Sequence, residues 1–130
     1  MNRLTQQEVF DQGIRGVITQ GGFAFNNDFC VYLDTKTGRR CHVGLFMSDI
    51  EPIFYVGGYQ TIYDNSENIR KWHDQTFDDE VTSEFLTDFQ KVHDFSSEFA
   101  NPWNNYRQRA QQFASKYGLN DEVTKEIPHE

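Results

Sequence analysis

The stretch that most constrains the fold is residues 29–47, in which two apolar runs flank a short polar turn. Gly38 lies in that turn, where hairpins commonly need a residue with a left-handed backbone conformation. Apolar side chains alternate along the runs on both sides of the turn, with the period of two that is typical of strands. The sequence therefore predicts a β-hairpin here. Gly44, within the second run, indicates a bulge or a close approach by a neighbouring segment.

An amphipathic helix is predicted before the hairpin, over residues 6–19. Thr5 and Glu8 form a capping box, in which each side chain can bond the backbone amide of the other residue. Apolar residues then recur at helical spacing, and a pair of glycines starting at Gly21 ends the pattern.

Three helices are predicted in the second half of the chain. Asn65 or Ser66 can cap a short first helix, and an apolar stripe indicates a second one over about residues 79–93. The last helix has Pro102 at its first position, where the missing N–H costs nothing, and Gly118 just past its end.

The segment between the hairpin and these helices is rich in aromatic and β-branched residues. Residues 53–56 and 59–63 flank a pair of glycines and are interpreted as two further strands, with an ordered aromatic loop as the alternative. We therefore expect an α+β fold with an N-terminal helix, a small antiparallel sheet built on the central hairpin, and three C-terminal helices. One domain should span residues 1–120, and the polar residues 121–130 should fray.

Composition excludes several classes of protein. No apolar run approaches the roughly 18 residues that a membrane span needs, and the first residues lack the apolar core of a signal peptide. We therefore expect a cytoplasmic protein that does not enter a membrane. Cys30 and Cys41 are expected to lie on neighbouring strands as small buried thiols, because a reducing cytosol disfavours a disulfide.

The negative charge of the chain is concentrated in one segment. The whole chain has a net charge of −8, and residues 74–100 contain eight carboxylates and a single lysine, which gives −7. Direct binding to nucleic acid is not expected, because phosphate contacts need a basic face. A charge run of this kind is commonly a solvated helix face, and that interpretation remains open.

The same segment also offers a candidate binding surface. Glu80, Glu84 and Asp88 are four residues apart, so that on a helix their like charges would align and repel. A basic partner would relieve that repulsion, and neighbouring aromatic side chains could anchor it. The candidate partner-binding residues are Asp78, Asp79, Glu80, Glu84, Asp88, Glu98, Phe77 and Phe95.

An alternative is a small enzyme or ligand-binding protein. Its pocket would lie between the hairpin of residues 30–47 and the helix end at His93, and would use His93, Asp94, Cys41 and Tyr32. A histidine can act as a general base near neutral pH, but one at a helix end also commonly bonds terminal carbonyls. No motif places a nucleophile, so no catalytic residue is assigned.

A metal site and a cofactor are not expected either. Five residues have side chains that could bind zinc: Cys30, Cys41, His42, His73 and His93. Their spacing lacks the two closely spaced ligand pairs that zinc sites usually show. The glycine pairs match no phosphate-binding motif. Homo-oligomeric packing is a further alternative use of the aromatic side chains.

Several short motifs in the chain are similar to those of small phage and prophage proteins of unknown function. They are Cys30, Tyr32, Gly38, Arg40, Cys41 and Gly44 in the hairpin, a segment at residues 46–49, the run Phe89-Gln90-Lys91-Val92-His93-Asp94, and Trp103 and Tyr117-Gly118-Leu119 in the last helix. At Ser48 those proteins have a proline. The resemblance implies a phage origin and brings no established activity.

Charge and resemblance together lead to one hypothesis about function. We expect a small acidic phage accessory protein that binds a host protein with a basic surface, such as a defence factor or a nucleic-acid-binding factor. It would modulate or inhibit that partner in the cytoplasm of the host cell.

Overall fold

The computed structural model describes residues 3–26, 29–30, 32–47, 58–96 and 102–129, and for residues 25, 26, 29, 30, 95 and 96 it describes the backbone alone. The described residues form five α-helices, which are α1 (Gln6–Gln20), α2 (Tyr59–Asn65), α3 (Glu67–Thr76), α4 (Ser83–Ser96) and α5 (Pro102–Tyr117). The described residues also form two 3₁₀ helices, Gly44–Phe46 and Glu122–Glu126. There are two short strands among them, β1 (Phe25–Asn26) and β2 (Phe29–Cys30).

Local capping signals set the ends of the predicted helices. The hydroxyl of Thr5 accepts from the amide of Glu8 across 3.2 Å, and the Glu8 carboxylate accepts from the amide of Thr5 across 3.0 Å. Ser66 caps α3 by accepting from the amide of Ile69 across 3.2 Å. The amide of Leu119 closes α5 on a carbonyl five residues back. The predictions of α1, α3 and α5 are confirmed.

Three phenylalanines from three helices form the centre of the core. The Phe10 ring of α1 lies 5.9 Å from that of Phe89 in α4 and 5.8 Å from that of Phe113 in α5, and all three are buried. Gly13 permits this approach, because a Cβ there would lie 2.6 Å from the Phe89 ring. Helix α4 is central, since it packs against both α5 and α2.

The expected α+β fold is wrong, because the described residues are mostly helical. Their only sheet is the ladder between β1 and β2, two residues long on each side. Only the turn of the predicted hairpin is present, with one antiparallel bridge, which joins Leu33 to Arg40. Within it Gly38 has a φ of +76°, and the amide of Asp34 donates to the carbonyl of Arg39 across 2.8 Å.

The second arm of the hairpin becomes a 3₁₀ helix because it is enclosed by helices. The amide of Val43 donates to the Gln90 side chain of α4 across 3.1 Å, and Trp72 of α3 donates to the carbonyl of Phe46 across 3.2 Å. These backbone groups thus find partners other than a neighbouring strand. The close approach expected at Gly44 is present, since a Cβ there would overlap the carbonyl oxygen of Tyr32.

The further strand predicted over residues 59–63 is also wrong. These residues belong to α2, where Tyr59 and Ile62 are buried and Tyr63 packs against the core. Residues 59, 62 and 63 are at positions i, i+3 and i+4, which form one face of a helix. In a run this short, that helical spacing is easily mistaken for the alternating pattern of a strand. The strand expected at residues 53–56 lies outside the described residues.

Helix α4 begins four residues later than the predicted start at residue 79. The hydroxyl of Thr82 accepts from the amide of Phe85 across 3.1 Å, which is a capping bond, and α4 starts at the next residue, Ser83. Glu80 therefore precedes the helix. At the other end α4 runs to Ser96, three residues beyond the expectation.

Among residues 121–130, which are expected to fray, the described residues 123–127 pack against the core instead. Val123 and Ile127 belong to the core, and Arg107 of α5 donates to the carbonyl of Ile127 across 2.9 Å. Arg15 of α1 forms an ion pair with Glu126 at 3.0 Å. The two apolar side chains four residues apart hold the segment against α1 and α5. Among the helices described, none combines the length and apolar composition needed to cross a bilayer.

Candidate functional site

Two of the predicted acidic residues, Asp78 and Asp79, line a cleft between the end of α3 and the segment that leads into α4. This acidic cleft has a volume of about 220 Å³. Its lining includes Arg3, Tyr63, Asp74, Phe77, Asp78 and Asp79.

A backbone bridge brings the start of the chain to this cleft. The amide of Leu4 donates to the carbonyl of Thr76 across 3.0 Å, and the amide of Asp78 donates to the carbonyl of Leu4 across 2.8 Å. These two bonds hold Leu4 parallel to Phe77. Arg3 is thereby placed beside the carboxylates that follow α3.

The cleft already binds one guanidinium group, that of Arg3. Its Nη2 atom lies 3.1 Å from the Asp79 carboxylate, and Nη1 donates to the backbone carbonyl of Asp74 across 3.2 Å. Three carboxylates and this single cation line the cleft, which leaves a net charge of −2. The imidazole of His73 adds no compensating charge at neutral pH, because burial lowers its pKa.

The row of Glu80, Glu84 and Asp88 is not formed as predicted. Glu80 lies over the first turn of α1, where its carboxylate accepts from the amide of Gln6 across 3.3 Å, whereas Glu84 is exposed on α4. Asp88 points towards α5 and accepts from Lys116 across 2.8 Å and from the Tyr117 hydroxyl across 2.6 Å. Its burial favours a higher pKa, but these two hydrogen bonds outweigh that effect and lower the pKa of Asp88.

Of the two predicted aromatic anchors, only the side chain of Phe77 is described, and it lines the acidic cleft from the core. Phe77 is buried and packs edge-on against Trp72, at 5.3 Å between ring centroids. The side chain of Phe95 and the whole of Glu98 lie outside the described residues. Sequence reasoning missed Arg3 and Tyr63 as lining residues, and no local pattern distinguishes either one.

The residues of the alternative pocket do come together, inside the protein. Tyr32, Cys41 and His93 are fully or almost fully buried. Burial raises the pKa of the Cys41 thiol, and the nearby charge of Asp94 raises it further. Burial also raises the pKa of the Tyr32 hydroxyl, and the nearby Cys41 and then Asp94 raise it further. Neither group is therefore poised to ionise near neutral pH.

Both ring nitrogens of His93 are engaged. Its Nε2 atom accepts from the amide of Ala24 across 3.1 Å, so that Nδ1 carries the proton and donates to the Asp94 carboxylate across 2.9 Å. Gln90 donates to the same carboxylate oxygen across 3.0 Å. The nitrogen that a general base would use is thus occupied by the backbone, and this arrangement is structural.

His42 and His73, which sequence reasoning considered only as possible zinc ligands, form matching hydrogen-bonded links. His42 donates from Nδ1 to the carbonyl of Phe89 across 2.8 Å, and its Nε2 accepts from the Tyr106 hydroxyl. His73 has the same kind of partners, a tyrosine hydroxyl on one side and a backbone carbonyl on the other. Burial lowers the pKa of both imidazoles, so both are neutral and connect chain segments through hydrogen bonds.

Within the described ranges, no three histidine, cysteine, aspartate or glutamate side chains converge in a way that could hold a metal ion. Cys41 is a free thiol whose sulfur accepts from the amide of Gly44 across 3.3 Å, whereas the side chain of Cys30 is not described. No protein-family model, no curated protein and no solved structure matches this chain.

Proposed function

We propose that this chain is a small acidic phage accessory protein that binds a host protein and modulates or inhibits it through the acidic cleft. The observation that carries this proposal is the position of Arg3, whose guanidinium lies between the Asp79 carboxylate and the Asp74 carbonyl. A cleft that accepts one guanidinium while keeping a net charge of −2 suits a basic side chain of a partner. Asp78 and Asp79, both expected from the sequence, supply part of that charge.

The partner would be a host protein with an arginine- or lysine-rich surface, such as a defence factor or a nucleic-acid-binding factor. Exposed carboxylates steer such partners over long distances and are screened by salt. Asp74 and Asp79 of the cleft are exposed, so their charge is accessible to such a partner. The resemblance to phage and prophage proteins supports a host partner and a site of action in the host cytoplasm.

The alternative, an enzyme or a ligand-binding protein acting at His93, is less well supported. A general base must reach the proton it abstracts, and the Nε2 atom of His93 is bonded to the amide of Ala24 instead. Burial and a raised pKa also disfavour Cys41 as a nucleophile.

The test compares two variants with the same loss of charge. Asp74→Asn/Asp78→Asn/Asp79→Asn neutralises the cleft. Asp64→Asn/Glu67→Gln/Glu122→Gln removes three exposed carboxylates elsewhere. Tagged wild-type and variant proteins are incubated with host lysate at low and high salt, and retained proteins are quantified by mass spectrometry. We expect a basic protein that the wild type and the control retain at low salt and that the cleft variant does not retain.

The partner is then purified and its affinity measured directly. The cleft variant should bind it at least about tenfold more weakly than the control does, which corresponds to about 1.4 kcal/mol. If both variants lost affinity equally, the lower net charge alone would explain the loss, and the proposal that the partner binds specifically in the cleft would be contradicted. Retention that is unchanged by the cleft variant would also overturn the proposal.

A further inference from the structure

A second cleft lies along the contact between α4 and α5. This α4–α5 groove has a volume of about 260 Å³. Its lining includes Asp88, Lys91 and Val92 from α4, and Arg109, Phe113 and Lys116 from α5. The α5 residues are spaced at i, i+4 and i+7, and those of α4 at i, i+3 and i+4, so each set lies on one face of its helix.

The groove is basic although the chain is acidic. The chain has 12 lysines and arginines against 20 aspartates and glutamates, yet three cations and one carboxylate line this groove. That carboxylate, Asp88, is bonded to Lys116 at 2.8 Å and to the Tyr117 hydroxyl at one end of the groove. The lining therefore carries a net charge of +2.

The floor of the groove is apolar. Val92 and Phe113 are almost completely buried, and both line the groove with their remaining surface. Lys91 is exposed and Arg109 is half-buried. A ligand in the groove would thus meet hydrocarbon below and positive charge at its rim. Flexible lysine and arginine side chains over an apolar floor suit an anionic group that is attached to an apolar body.

The size of the groove limits what it can hold. Ligand pockets usually enclose about 300–1,000 Å³, so this groove is at or just below the small end of that range. It can accept one ring or a short hydrocarbon with a single anionic group, and it is too small for a nucleotide.

We propose that the α4–α5 groove binds a small organic oxyanion, a phosphate monoester or a carboxylate, with its anionic group between Lys91 and Arg109 and its apolar part on Val92 and Phe113. This site shares no residue with the acidic cleft and goes beyond the function proposed above. A small anion at this position would bridge α4 and α5.

The test is a titration of the ¹⁵N-labelled full chain, followed by ¹H–¹⁵N correlation spectra at constant ionic strength. The probes are phenyl phosphate, benzoate and inorganic phosphate, each up to ~10 mM, a range that detects millimolar dissociation constants. We expect shifts confined to amides of residues 88–92 and 109–116. Phenyl phosphate should bind several-fold more tightly than inorganic phosphate, because its ring covers apolar surface. Comparison with benzoate distinguishes a phosphate site from a carboxylate site.

Two matched variants separate the groove from general charge effects. Lys91→Gln/Arg109→Gln should weaken phenyl phosphate binding at least about tenfold. Lys71→Gln/Lys125→Gln, which removes two exposed cations elsewhere, should leave it unchanged. The spectrum without ligand shows directly whether each variant is folded.

The titrations would overturn the proposal if no probe caused shifts, if shifts spread over all basic residues, or if both variants bound equally weakly. Concentration-dependent shifts without any probe would instead assign the groove to contact between copies of the chain, which also contradicts an anion site.

Discussion

The Nε2 atom of His73 lies 2.7 Å from the carbonyl oxygen of Val81, and this hydrogen bond ties α3 to the segment that leads into α4. Because Nε2 is the donor, Nδ1 accepts from the Tyr59 hydroxyl across 2.7 Å, and the ring is neutral. His42 makes the same two kinds of contact between α4 and α5. The fold thus depends on two buried imidazoles that must stay unprotonated.

Acid should therefore destabilise the protein before its carboxylates titrate. Burial lowers the pKa of His42 and His73 in the folded state, whereas in the unfolded chain a histidine has a pKa of about 6.5. Below that pH the unfolded state binds more protons, so the free energy of unfolding falls as pH falls. Between pH 7.5 and 5.5 we expect a loss of about 1–3 kcal/mol, measured by urea denaturation at each pH.

Two histidine variants test the cause of that pH dependence. His73→Gln should lower stability at pH 7.5 and reduce the slope between the two pH values, because one of the two histidines with a lowered pKa is gone. His129→Gln is the control, since it removes an exposed histidine and leaves both of these buried ones in place. A wild-type stability that does not change over this range would contradict the role of the histidines.

The parts of the fold that could be predicted from the sequence are those set by neighbours in the chain. The capping box of Thr5 and Glu8 and the proline that begins α5 need no knowledge of the remainder of the molecule. The hairpin failed for the opposite reason. Alternating apolar residues suit a strand, but residues 43–47 are covered by α3 and α4, and Gln90 and Trp72 provide partners for their backbone from 47 and 26 positions away.

The candidate site was predictable to a similar extent. Asp78 and Asp79 were expected on a binding surface from local charge alone, and both line the acidic cleft. Arg3 and Asp74 are 71 positions apart in the sequence, and no local pattern predicts their contact. Asp88 is predicted to belong to the acidic row because its spacing from Glu84 is helical. Spacing alone does not show that α5 packs on that side of α4 and supplies Lys116 and Tyr117.

The thiol of Cys41 should be inert in the folded protein. It is fully buried, and burial raises its pKa, so almost no thiolate is available at neutral pH. Iodoacetamide at pH 7.5 should leave Cys41 unlabelled in buffer and label it fully in urea, as measured by mass spectrometry of the peptide that contains it. Rapid labelling under native conditions would contradict this burial and would revive the alternative of a reactive site.

Gly44 should not tolerate a side chain. A Cβ at this position would overlap the backbone carbonyl of Tyr32, which cannot move without breaking its own bond to the amide of Cys41. We expect Gly44→Ala to lower the free energy of unfolding by about 3 kcal/mol, at the upper end of overpacking costs. Gly58→Ala is the matched control, since nothing lies within 4 Å of its Cβ position, and it should change stability by less than about 0.5 kcal/mol. Equal effects would show that the contact with Tyr32 is not what requires glycine.

Ile127 should contribute to stability as a core residue, although it is only three residues from the end of the chain. Its side chain is 1% exposed and belongs to the core cluster, and the neighbouring backbone is fixed by the bond from Arg107 to its carbonyl. Ile127→Ala should lower the free energy of unfolding by about 3 kcal/mol, because it removes buried hydrocarbon and leaves a cavity. Lys125→Ala, at an exposed site two residues earlier, should cost less than about 0.5 kcal/mol. Urea denaturation measures both, and a frayed segment would give no difference between them.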